Sequence, residues 1–126
     1  VTPYFIEPRH NGPESEAQIQ AAFLAQMAKL APRIMVLGIP NAGKRTRWEA
    51  MQRKREGMVT GFPDLVLFYD GGVMALEMKS GKGVLSKPQA AALDRLVSIG
   101  IQVAVMRSAD TAIEFVRNRW PAAFFV

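Results

Sequence analysis

The sequence predicts a single α/β domain, a mixed central sheet flanked by helices in the order α-β-β-β-α-β-α. Three observations carry that expectation. The chain has 126 residues, about half of them apolar and a fifth charged, enough for one buried core and hardly for two. Apolar residues recur at helical spacing in three stretches. Four short apolar runs bounded by Pro and Gly read as strands.

The elements follow in order. Residues 1–12 carry Pro3, Pro8 and Gly12 and read as an irregular arm of the single domain 1–126. Pro13 suits the first position of a helix capped by Asn11 or Gly12, running to about residue 31 before Pro32. Its apolar stripe is Ile19, Phe23, Met27 and Leu30, with Glu16 on the buried edge. Ile34–Leu37 is a short strand; 38–61 reads as a long functional loop with room for a short helix. Leu65–Tyr69 and Val73–Lys79 are the clearest strands, joined by the hairpin signal Asp70-Gly71-Gly72. Ser86 and Gln89 form a capping box for a helix that runs to about Ile99 and stops at Gly100, with Ala92, Leu93, Leu96 and Val97 inward. Ile101–Met106 is the last strand. Ser108 or Asp110 then caps a helix carrying Ile113, Phe115 and Val116 that ends before Pro121. The apolar tail Trp120–Val126 either caps the core or forms half of a dimer interface, and the interface is the preferred reading.

Composition narrows the function. With no cysteine, disulfides and thiolate metal sites are excluded, and a cytoplasmic location is expected. No apolar run is long enough for a membrane-spanning helix, and the N-terminus lacks the pattern of a signal peptide. The net charge is +5 and the sequence pI about 10.0, which suits a polyanionic partner. Six of the 16 Lys and Arg lie between residues 44 and 55 (Lys44, Arg45, Arg47, Arg53, Lys54 and Arg55), and this clustering favours phosphate contact over a merely solvated face. His10, the sole histidine, reads as surface decoration.

Gly38-Ile39-Pro40-Asn41-Ala42-Gly43-Lys44-Arg45 nearly spells a nucleotide-binding loop. That motif needs a hydroxyl after the Lys to hold Mg²⁺, and here the position is Arg45, with Thr46 one place late. No nucleotide cofactor is therefore expected.

The chemistry concentrates in the hairpin. A Gly71-Gly72 turn would set Asp64 opposite Lys79 and Val66 opposite Glu77; an Asp70-Gly71 turn would shift the register by two. In both, Asp64, Glu77 and Lys79 share one face, because side chains alternate along a strand. Glu77 and Lys79 interrupt an otherwise apolar run, and charges in an inner strand are costly unless paired or bound to an ion. Two nearby carboxylates suit a hard dication such as Mg²⁺ or Mn²⁺, and an adjacent lysine suits a phosphodiester transition state. The alternative is an edge ion pair that discourages aggregation.

Pro63-Asp64 followed by Glu77-Met78-Lys79 resembles the PD-(D/E)xK nuclease signature. In order around it stand Glu16-Ala17-Gln18-Ile19-Gln20, Pro40-Asn41, Gly61-Phe62-Pro63-Asp64, Leu85-Ser86-Lys87-Pro88-Gln89 and Ser108-Ala109-Asp110. This set is similar to the VRR-NUC branch of that superfamily in its small stand-alone form, found in phages and bacteria, over roughly residues 14–116. The resemblance implies a restriction-endonuclease-like core and a Mg²⁺- or Mn²⁺-dependent DNA endonuclease. It further implies selectivity for branched DNA such as Holliday junctions, and a homodimer in a bacterium or phage-infected host. By position it makes Asp64 and Glu77 metal ligands with the carbonyl of Met78, and Lys79 the catalytic lysine. Glu16 and Gln89 join the site, a reading preferred over the competing explanations that the helix dipole and the capping box offer. Lys82 and Lys87, close in sequence to the catalytic strand, join the cluster at 44–55 as expected DNA contacts. The rival reading is a DNA-binding module that uses the same fold without cleaving.

Overall fold

Alternation along the central strands decides which way each side chain points, and the helices cover the two faces so defined. The computed structural model describes residues 3–40 and 47–125. In chain order the elements are β1 Phe5–Ile6, α1 Glu16–Leu30, β2 Met35–Gly38, α2 Arg47–Arg55, β3 Leu65–Tyr69, β4 Gly72–Met78, α3 Lys87–Ser98, β5 Gln102–Met106, α4 Ala109–Arg119 and a 3₁₀ turn at Pro121–Ala123. The sheet order is β1-β5-β4-β3-β2. β1, β5 and β4 are parallel neighbours; β4, β3 and β2 are antiparallel.

Leu65, Leu67, Met74, Leu76, Met78, Ala104 and Met106 project from one face and meet Ile19, Phe23 and Met27 of α1 and Ala112, Ile113 and Val116 of α4. Each such large apolar side chain contributes roughly 1.5–3 kcal/mol on burial. Alternate residues Ala75, Val103 and Val105 face the other way and pack on Leu93 of α3. The sheet is thus sandwiched, but α3 covers only part of its face. Met35, Leu37 and Phe68, which share that face by register, stay exposed.

Four expectations change. The arm at 1–12 is not wholly irregular: Phe5 and Ile6 pair with Ala104 and Val105, adding a fifth strand. Two residues are too few to show a period, and their partner is about a hundred residues away. Helix α1 starts at Glu16, not Pro13, because Ser15 is the stronger cap: its Oγ accepts from Gln18 N at 3.2 Å, and its N donates to Gln18 Oε1 at 2.8 Å. The stretch 38–61 contains α2. Finally, the C-terminal tail caps its own core: Trp120, Ala123 and Phe124 are buried, and Phe125 N donates to Leu30 O at 2.8 Å. No membrane-length apolar helix occurs among the described residues.

Candidate active site at the open end of the hairpin

The hairpin turn selects the register. Asp70 and Gly71 both have positive φ, +49° and +76°, as a two-residue type I′ turn demands, so Tyr69 pairs with Gly72 and Leu65 with Leu76. One step further the ladder sets Asp64 opposite Glu77, on the same face as Lys79. The Asp70-Gly71 alternative is therefore the one adopted, and Gly72 enters β4.

Asp64 Oδ2 accepts the Met78 backbone N–H at 2.8 Å, which fixes the carboxylate against the central strand. Glu77 is 1% exposed, and its Oε2 is buried with no hydrogen-bond partner. Lys79 is also buried, its N donating to Met106 O at 2.9 Å, while its Nζ stands 3.6 Å from Oε1 of the half-exposed Glu16. Burial pushes the Glu77 carboxyl up to about 9; a hydrogen bond to Asp64 and that group's negative charge push the same way, against the pull of Lys79. Glu16 adds a smaller upward push. Without a cation, Glu77 therefore favours its protonated form at neutral pH.

Such a pair fits a hard dication. A cation can replace the proton, and the orphaned oxygen of Glu77 is a ligand without a competing partner. The backbone offers a third donor. N–H and C=O of one extended residue point to the same neighbouring strand, so the Met78 carbonyl faces the side from which Asp64 reaches its N–H. The ladder would set Pro63 opposite Met78, and proline has no N–H to occupy that carbonyl. Among the described residues no group of three or more His, Cys, Asp or Glu side chains forms a metal cage. Two carboxylates and a carbonyl instead leave coordination positions for water and substrate, the pattern Mg²⁺ favours.

The other expected site residues scatter around this corner. Gln89 is in the first turn of α3, its Oε1 accepting from Ser86 N at 2.8 Å, so the cap claims that oxygen. The start of α3 nonetheless lies against the loop leading to Asp64. A Cβ on Gly61, which has φ +75°, would stand 2.5 Å from Pro88 C and 2.6 Å from Gln89 N. Lys82 and Lys87 are exposed beyond Lys79, as are Arg47, Arg53, Lys54 and Arg55 on α2. Lys44 and Arg45 lie outside the described residues.

Sequence reasoning missed a second polar cluster that braces the loop after Lys79. Arg107 is buried; its Nε donates to Glu7 O at 2.9 Å and its Nη1 to Ser80 O at 2.8 Å and Gly83 O at 2.7 Å. Glu7 Oε1 accepts Arg107 N at 2.7 Å, and Oε2 accepts Ser108 Oγ at 2.8 Å. His10, expected as surface decoration, instead joins this brace: Nε2 lies 3.0 Å from Arg107 O, and its backbone N donates to Gly81 O at 3.0 Å. Only the sheet pairing of β1 brings these residues together, so no local signal marks them.

A family model described as the VRR-NUC domain matches residues 10–110. A solved structure described as "VRR_NUC domain protein" is similar in fold, with a TM-score of 0.70 at 19% identity, covering 88% of this chain and 92% of that one. A search of curated proteins gives no match. The architecture is the α/β, restriction-endonuclease-like core that the motif order implied.

Proposed function

The chain belongs to the VRR-NUC family, and on that premise we propose that it is a divalent-cation-dependent deoxyribonuclease that hydrolyses phosphodiester bonds, acting on branched DNA as a homodimer. One observation carries the catalytic part: a buried glutamate, Glu77, has an unpartnered carboxylate oxygen beside Asp64 and Lys79. A merely structural ion pair would be expected to satisfy that oxygen, because leaving a buried polar group without a partner costs about 1–3 kcal/mol and more when it is charged. Mg²⁺ or Mn²⁺, when bound by Asp64, Glu77 and the Met78 carbonyl, supplies Lewis acidity toward the scissile phosphate.

The remaining roles belong to the chain. Asp64 is held by the β4 backbone, so its carboxylate stays in place beside Glu77. Lys79 brings a cation beside the carboxylates, where it can donate to a non-bridging phosphate oxygen or orient the attacking water. Glu16 steers that ammonium from α1, 3.6 Å away. Lys82, Lys87 and the basic residues of α2 would contact the DNA backbone, and that contact would weaken with salt. With most of the tail folded onto its own core, the exposed residues Met35 and Leu37 of edge strand β2 offer one apolar surface for a second copy.

The test is a cleavage panel of single strand, duplex, flap, splayed arm and four-way junction with Mg²⁺ or Mn²⁺. Cleavage that requires the cation, falls with Lys79→Ala and prefers branched substrates supports the reading. Binding without cutting by the wild type would leave a non-catalytic DNA-binding module, and equal cutting of all substrates would remove the branch selectivity.

A further inference from the structure

The nine residues of α2, Arg47–Arg55, include not one buried side chain. Isolated helices of this length are marginal in water, and most protein helices are held by an apolar face packed on something. Here the large apolar side chains point outward: Trp48 is 66% exposed and Met51 51% exposed. They stand three apart, on one face of the helix. Around them are Arg47, Arg53, Lys54 and Arg55 against two acids, Glu49 in the helix and Glu56 just after it, the latter 3.9 Å from Arg53.

The placement of this helix is informative. Ile39, just before the segment that carries α2, donates its N–H to Asp64 O at 2.8 Å. The segment returns through Gly61, seated on the backbone of Pro88 and Gln89, and reaches Asp64 three residues later. Both roots of the excursion are thus at the candidate active site. A polyanion lying across Asp64 and Glu77 therefore meets the two roots of the segment that carries this basic helix.

We infer that α2 is a nucleobase-recognition element in which Trp48 stacks on an unpaired base while the flanking arginines and lysine hold the adjoining phosphates. The inference rests on the nuclease reading and names the feature of the substrate that the enzyme selects, a base free of its partner. Charge complementarity chooses the occupant. Two copies of α2 brought face to face would oppose four cations to four cations, whereas a phosphate backbone neutralises them. Tryptophan beside arginine is the combination that stacks bases without regard to sequence.

The test measures DNA binding without divalent cation, so that nothing is cut. Wild type, Trp48→Ala and Trp48→Phe are compared on a splayed-arm DNA and on a fully paired duplex of equal length. Trp48→Ala is expected to weaken splayed-arm binding by roughly 5- to 150-fold, the range for one base–aromatic stack, and duplex binding by much less. Trp48→Phe keeps most of the affinity, because its ring still stacks. Wild-type tryptophan fluorescence should fall on binding the splayed arm, and that fall should vanish in Trp48→Phe, because Trp120 is buried in the core. Equal loss on both DNAs, or no loss, overturns the inference. So does unchanged DNA affinity with a smaller particle by light scattering for Trp48→Ala, which would mean that Trp48 covers a second copy. A wild type that neither binds nor cuts any DNA would instead defeat the nuclease reading beneath it.

Discussion

Glu77 and Glu7 are both sealed inside the protein, at 1% and 7% exposure, and they are sealed in opposite ways. Glu7 has a donor for each oxygen, Arg107 N and Ser108 Oγ, and its own carbonyl receives the Arg107 guanidinium. Glu77 faces another carboxylate and keeps one oxygen without any partner. Burial alone therefore does not mark a functional acid. A satisfied buried carboxylate holds the fold together, and an unsatisfied one is poised for a ligand the folded chain does not itself supply.

Removing a partner from the satisfied glutamate should give the largest stability effect. Arg107→Ala takes the guanidinium from the main-chain carbonyls of Glu7, Ser80 and Gly83 and its positive charge from beside Glu7, while the two donors to the Glu7 carboxylate, Arg107 N and Ser108 Oγ, stay. A loss of about 3–5 kcal/mol is expected, read as a lowered denaturant midpoint at unchanged slope. A loss below about 1 kcal/mol would show that water replaces the brace and that Glu7 is no more structural than Glu77.

The opposite outcome is expected at the unsatisfied one. Glu77→Gln keeps the shape and removes the buried acid, so cleavage should fall by about 10²–10³-fold or more while the cation-free protein becomes more stable by roughly 1–3 kcal/mol. A variant that is both inactive and less stable would make Glu77 a structural residue after all. Added Mn²⁺ gives the next effect. At a hundred times its dissociation constant it should stabilise the wild type by about 2.7 kcal/mol and leave Glu77→Gln nearly unmoved; equal stabilisation of both would put the cation elsewhere.

A pH series sharpens the same contrast. An acid whose folded pKa lies above its unfolded value binds its proton more tightly when folded, so its contribution is full below the unfolded value and is lost as pH rises through the folded one. For Glu77 the window runs from the ordinary 4.5 to about 9. In chelator, wild-type melting temperature should decline across that window, and Glu77→Gln should flatten the decline. Identical pH profiles would mean that Glu77 is not the group titrating.

How much of this was legible in the sequence follows from range. Glu77 and Lys79 stood out because they break an apolar run within a single strand, and Asp64 joined them across a short hairpin whose two even registers agree on the face. Gln89 announced its cap for the same reason, four residues of local geometry. Glu7 and Arg107 are a hundred residues apart and meet only through the parallel pairing of Phe5 and Ile6 with β5. Nothing in their own neighbourhoods signals a partner. The exposure of α2 was equally hidden: its composition shows cations, but only tertiary structure reveals that Trp48 and Met51 have no core beneath them.

Proline before the aspartate offers the finest test of why Glu77 remains open to a ligand. In a regular ladder the residue opposite Met78 would donate its N–H to the Met78 carbonyl and close off that oxygen. Pro63 has no N–H, so the carbonyl stays available next to the carboxylates, much as Glu77 Oε2 does. Pro63→Ala restores the donor and changes no charge. It should leave the fold intact and weaken Mn²⁺ binding by a factor on the order of 10, measured by titration calorimetry on protein freed of cation. Unchanged affinity would remove Met78 from the coordinating set and leave the two carboxylates to hold the ion with water alone.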